Sequence, residues 1–154
     1  MENFIKAYEG LLDGFQEVLS EMKEEQKIKD LSIMANSLGT PEFPFLEIYI
    51  DEPFKNIQDS GLSEIFEGEL IVSSQVLNNT NPVEGIHEAT MLVSEVRDRI
   101  LKSRLLKKLG IYFITTSDLG WVPFGFGKKR NIYSAGVTFK IRFKLSKPKC
   151  NEQE

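Results

Sequence analysis

The stretch VTFKIRFKL, residues 137–145, limits the fold of this chain more than any other. Val137, Phe139, Ile141, Phe143 and Leu145 are apolar, while Thr138, Lys140, Arg142 and Lys144 between them are polar. Strict alternation is the mark of a strand with one buried face. Tyr133 and Ala135 keep the same parity, so a strand is expected over 132–145. A strand this long needs partner strands on its edges and an apolar layer on its buried face. Three of the four polar residues in 137–145 are cations. That row could hold a phosphate backbone, answer carboxylates, or keep an edge soluble.

Three further strands are legible. In FPFLEIYID, Leu46, Ile48 and Ile50 alternate with Glu47, Tyr49 and Asp51, and Pro44 suits a strand start. In IFEGELIVSSQVL, Leu70, Val72 and Val76 share one face, while Glu67, Glu69, Ser73 and Gln75 share the other. IYFITT, from Ile111, is the third. Residues 52–63, with Pro53, Asn56, Asp59 and Gly61, read as a loop. Residues 117–131 read as a Gly-punctuated excursion.

Two amphipathic helices supply the missing layer. Phe4, Ile5, Tyr8, Leu11, Leu12, Phe15, Val18, Leu19 and Met22 recur at spacings of three and four, opposite Glu9, Asp13, Glu17 and Glu21. A second helix starts at NPVEG. Asn81 suits the N-cap and Pro82 the first turn, and Glu84 can reach back to the cap. Its apolar side is Ile86, Ala89, Val93, Val96 and Ile100. Lys102, Arg104, Lys107 and Lys108 suit its C-terminal end, and Gly110 its stop. Asp30 could cap a short helix ended by Gly39. The expected order is α-β-β-α-β-β. This is an α+β domain over residues 1–146, with one mainly antiparallel sheet and both amphipathic helices on one face. A polar tail, 147–154, follows.

A chain of 154 residues is most simply one domain. No apolar run is long enough for a membrane span, and the acidic, amphipathic start lacks the apolar core of a signal peptide. A cytosolic location is expected. The single cysteine, Cys150, leaves no internal disulfide and reads as a spectator thiol. The net charge of −4 hides a split. Residues 1–95 hold 5 Lys/Arg and 19 Asp/Glu, or −14; residues 96–154 hold 14 and 4, or +10. Such asymmetry points to pairing within the chain or between copies.

No catalytic set stands out. The one histidine, His87, reads as a helix-end surface residue, and one His with one Cys is too little for a zinc site. The clusters EMKEE, IDEP and EGE lack calcium-loop spacing. GFGKKRN fails as a phosphate loop. That motif needs glycine where Val122 stands and Ser/Thr where Lys129 stands; a dinucleotide fingerprint needs glycine where Arg130 stands. The same region sets Trp121, Phe124 and Phe126 before Lys128, Lys129 and Arg130. Aromatic and basic residues so interleaved serve nucleic-acid binding or a protein interface. The acidic whole favours the protein interface.

Taken together, FPFLEIYIDEP, EGELIVSSQVL, NPVEGIHEATMLVSEVRDRIL and RNIYSAGVTFKIRFKL occur in an order that resembles the tail-terminator (tail-completion) proteins of long-tailed bacteriophages and prophages. The resemblance covers about residues 1–146 and rests on element order and the final strand, not on a fixed motif. It implies a structural subunit that is no enzyme and needs no cofactor or metal. Copies would form a ring, commonly a hexamer, that caps the tail tube and offers a surface to the head–tail connector. DNA would pass through without sequence-specific binding, and no membrane would be involved. The location implied is the host cytoplasm during assembly, then the head-proximal end of the tail.

Ring contacts are heterologous, joining two different patches. On that expectation the basic strand (Lys140, Arg142, Lys144) and the 120–130 hairpin meet acidic surface around Glu47, Glu67 and Glu69 of a neighbour, and the 52–63 and 117–131 loops order on assembly. Pairing of the same cations with Glu47, Asp51, Glu67 and Glu69 inside one sheet stays open. Other readings are a DNA-contacting neck protein using Lys128, Lys129 and Arg130, and a small ligand-binding domain with its pocket between sheet and helices.

Overall fold

The structure is a computed structural model that describes residues 2–33, 41–104, 111–116, 120–124 and 131–146; for residues 2–3, 112–113 and 120–124 it describes the backbone alone. The elements are α1 (Glu2–Glu24), β1 (Asp30–Ile33), β2 (Phe45–Asp59), β3 (Ser63–Leu77), α2 (Pro82–Lys102), β4 (Ile111–Thr116), β5 (Gly120–Phe124) and β6 (Ile132–Ser146). The α+β class and the two helices on one sheet face are as the sequence led us to expect. The strand count is higher, because β1 and β5 are additional.

One sheet runs in the order β1-β2-β3-β6-β4, and β5 also pairs with β6. β4 takes residues 139–143 of β6 and β5 takes 132–136, so the two share one edge of that strand. β1 lies parallel to β2; every other pairing is antiparallel. β3 and β6 stay in register over their whole length, from Ser63↔Ser146 to Leu77↔Ile132.

Alternation decides the layers. Leu46, Ile48, Leu70, Val72, Val76, Tyr133, Ala135, Val137, Phe139, Ile141 and Phe143 are buried together with Leu11, Phe15, Leu19 and Met22 of α1 and Ala89, Val93, Val96 and Ile100 of α2. Phe15 meets Phe139 edge-on at 5.4 Å between centroids. Near the start of α1, Phe4 packs on Phe66 and Phe143, and Tyr8 on Phe54. Ile5, expected on the apolar side, is exposed instead. It lies one position from Phe4, about 100° around the helix, and only one of the two can face the sheet.

Helix α2 sits close on the sheet. A Cβ on Gly85 would come within 2.2 Å of the Tyr133 ring, so this turn of the helix can approach only as glycine. Next to it the buried Ser74 hydroxyl donates to the Ala89 carbonyl at 2.7 Å. Asn81 is the N-cap, as expected, and its Oδ1 accepts from the Val83 N–H at 2.9 Å. The role expected of Glu84 falls to Asn78, whose Oδ1 accepts from the N–H groups of both Thr80 and Asn81. The strand-to-helix turn thus supplies its own acceptor from behind the cap. The stop expected at Gly110 comes earlier, because α2 ends at Lys102 and the N–H of its C-cap Ser103 donates to the Ile100 carbonyl at 3.2 Å; Lys107, Lys108 and Gly110 lie outside the described residues.

Two sequence expectations are corrected. Asp30 does not cap a helix. It opens β1, and its carboxylate accepts from the Glu42 N–H at 2.7 Å. The side chain does bind backbone, but just ahead of β2 and not at a helix start, because Leu31 and Ile33 line up beside Leu46 and Ile48. Gly39 lies outside the described residues. Residues 52–59 are strand and not loop: β2 runs on through Pro53 and Asn56 to Asp59. Register shifts near Glu52, Lys55 and Gln58 mark bulges that absorb its irregular sequence against the regular β3. The turn at 60–62 is short. Ser60 N–H donates to the Ser63 carbonyl at 2.9 Å, and Ser63 N–H to Ser60 Oγ at 3.2 Å.

Helix α1 ends without glycine. Gln26 has φ 63°, Lys27 N–H reaches the Met22 carbonyl and Gln26 N–H the Lys23 carbonyl. These two bonds form a Schellman stop with glutamine in the left-handed position.

Candidate interaction surfaces

No described helix covers the second face of the sheet. Its residues come from the polar parity of each strand: Glu47 and Tyr49 from β2, Glu67, Glu69 and Ile71 from β3, Thr138, Lys140, Arg142 and Lys144 from β6. Register sets Lys140 opposite Glu69 and Arg142 opposite Glu67, with Lys55 on the far side of Glu67.

Glu67 is the centre of this face. Lys140 Nζ lies 2.9 Å from its Oε1, and Arg142 Nη2 lies 3.6 Å from the same oxygen. The Glu67 side chain is 16% exposed, against 46% for Lys140 and 36% for Arg142. The Lys140 ammonium, with Arg142 beside it, holds the Glu67 carboxyl below the usual carboxylate range, although burial opposes this. Pairs of this exposure contribute about 0.2–1 kcal/mol each. On the same face, Tyr49 sits between Glu47 and Asp51; burial first, then those two charges, raise its phenol above its ordinary value.

The cationic row therefore answers a carboxylate of its own chain, at least through Glu67. This resolves one of the two options left open by the sequence. Glu67, Lys140 and Arg142 come together; Glu69 stands beside Lys140 in register. Glu47 lies further along the sheet, opposite Ser32 and Ser73, and Lys144 lies at the other end, opposite Ile65. Trp121 and Phe124 are in β5, opposite Ala135 and Ile132 of β6. Phe126, Lys128, Lys129 and Arg130 lie outside the described residues, as does Cys150.

The opposite face of the molecule carries a second ionic group, which the sequence reading did not single out. Arg99 of α2 reaches Glu21 at 3.5 Å, Glu95 at 3.0 Å, and Glu25; Lys27 also pairs with Glu95. Burial would raise the Glu95 carboxyl, but Lys27 and Arg99 outweigh it and hold it below the usual range. The group fastens α1 to α2 beyond the reach of their apolar stripes. Only the spacing of Glu95 and Arg99, four apart on one helix, was readable in advance.

Beside this group lies an open groove of about 680 Å³, walled by Pro44, Val76, Met91 and Leu92 and rimmed by Lys27, His87, Glu88, Glu95 and Asp98. His87 is exposed on α2, as its position near the helix start implied. Among the described residues no group of three or more His, Cys, Asp or Glu side chains is arranged to hold a metal ion. No described helix is long and apolar enough to cross a membrane.

No family model matches this chain, and no curated protein sequence matches it either.

Proposed function

We propose that this protein is a tail-terminator-type structural subunit: copies of it form a ring that caps a phage or prophage tail tube, stops its growth and offers a surface to the head–tail connector. The observation that carries the reading is the division of labour in the sheet. Both helices and the whole apolar core lie on one side, and the other side, charged and without a described helix over it, is left for partners. The α+β class and mainly antiparallel sheet are what the resemblance implies, with β1 and β5 added to the expected order.

The arrangement of charge refines the reading. Because Glu67 already holds Lys140 and Arg142, these three do not supply the bulk of a contact between copies. Glu47, Glu69 and Lys144 are the members of the face with room for a neighbour. Since the Glu67 group is pre-formed, subunits keep a rigid face, and docking costs little side-chain ordering.

Sedimentation of the purified protein, alone and with tail-tube subunits, tests the reading. Ring-sized particles or co-sedimentation with tubes is the expected result. A monomer at every concentration that leaves tubes untouched would overturn it.

A further inference from the structure

β2 is an edge strand for most of its length. β1 lies beside Phe45–Ile48 only, and among the described residues no strand lies on that side of Tyr49–Asp59. A regular edge of this length offers a row of N–H and C=O groups on which a strand of another chain can pair.

The stretch is not regular. Phe45 lies opposite Gln75 and Asp59 opposite Glu64, so fifteen residues of β2 run along twelve of β3. The three extra residues fall at the three register shifts. Asp51 comes between the paired Ile50 and Glu52, Pro53 between the paired Glu52 and Lys55, and Ile57 between the paired Asn56 and Gln58. Each bulge bends the strand and upsets the even spacing of its outward groups, which a partner strand needs. Pro53 has no N–H to offer. Asp51, Glu52, Lys55 and Asp59 place charge along the same edge, and from Asp51 to Asp59 only Phe54 is not exposed.

Phe54 holds the central bulge in place. Its ring lies over Gly68, where a Cβ would come within 2.6 Å of it. It packs on Phe143 at 5.4 Å between centroids and meets Tyr8 edge-on at 5.7 Å. Glu52 and Lys55 lie opposite Glu69 and Glu67 of the uncovered face. Three positions apart, they share that face only if one residue between them is extra. Pro53 takes that place and leaves Phe54 directed at the core.

We infer that the distal half of β2 is built to close this edge of the sheet to further strands, with Phe54 and Gly68 as the lock that keeps the central bulge. Second copies of this chain and extended segments of other proteins are thereby turned away from this edge. The inference stands on register and packing and does not use the terminator reading.

Deletion of Asp51, Pro53 and Ile57 tests it. Twelve residues then face twelve, and every remaining residue keeps its face, with Phe54 still opposite Gly68. Circular dichroism is the folding control. Hydrogen exchange of the β2 amides and sedimentation velocity are followed up to about 1 mM, where weak contacts are populated. In the parent, exchange over 49–59 is expected to be the same at every concentration. In the deletion variant it is expected to slow as concentration rises, with species larger than the parent's in sedimentation. Deletion of Pro53 alone, which removes one bulge, is expected to shift both readings the same way by less. A parent whose 49–59 amides become protected with concentration would overturn the inference, and so would a folded deletion variant of either kind that matches the parent. Tube capping is a separate readout: its failure counts against the terminator reading and leaves the closed edge as it is.

Discussion

The two faces of β6 are built by alternate residues of one strand, yet they do different work. Tyr133, Ala135, Val137, Phe139, Ile141 and Phe143 are buried beneath α1 and α2. Thr138, Lys140, Arg142 and Lys144 face away from both helices, where the contacts are ionic and partly wet. Burial of a large side chain is a strong and non-directional stabiliser, whereas an ion pair of this exposure contributes little. Stability is therefore concentrated on one face, and the other is free to vary in what it contacts. Substitutions on each face separate the two contributions.

The largest effect belongs to the covered face. Phe139→Ala removes a fully buried ring that meets Phe15 edge-on, and should cost about 3–5 kcal/mol in denaturant unfolding. A loss under about 1 kcal/mol would mean that the helices do not rest on this strand as described. Next comes Gly85→Ala. Helix propensity alone favours alanine by about 1 kcal/mol, but its Cβ would fall 2.2 Å from Tyr133. Overpacking should win, for a net loss of about 1–3 kcal/mol, and Tyr133→Leu in the same chain should recover part of it.

Away from both faces, Gln26→Gly should stabilise the protein, because glycine holds the positive φ of the α1 stop without strain. A gain of up to about 1 kcal/mol in the same assay is expected. The smallest effect belongs to the uncovered face. Glu67→Gln should cost about 0.2–1 kcal/mol at neutral pH and low salt, and less in high salt. Its sign with pH follows from the lowered carboxyl. The folded-state value lies below the unfolded one, so the contribution is complete above the ordinary glutamate value of about 4.3 and is lost as pH falls through the folded value. Parent and variant should therefore converge in stability under acid. Curves that stay parallel would remove Glu67 from the account.

How much could be read from the residues follows the same division. β3, β6 and the first half of β2 were legible because one buried face imposes period two, and both long helices because a buried stripe imposes period 3.6. The distal half of β2 was not. Pro53, Asn56 and Asp59 are loop-formers, and only the regular β3 beside them keeps them extended. β1, at four residues, is too short to show a period, and each of its parallel partners lies fifteen positions further along the chain, as Asp30 and Phe45 do. The stop of α1 was hidden because glutamine occupies a position where glycine is the usual signal. On the charged face, the residue types were evident from alternation, but which carboxylate meets which cation depends on register. Sequence could name Glu67, Lys140 and Arg142 but not join them within one chain.

The proposed terminator role is tested most directly by the growth of tail tubes. Tube subunits should be polymerised with and without this protein and their lengths measured by electron microscopy. Tubes made in its presence are expected to be shorter, to stop growing, and to carry extra density at one end. Tubes of unchanged length with bare ends, at a concentration where the protein is folded and in excess, would contradict it.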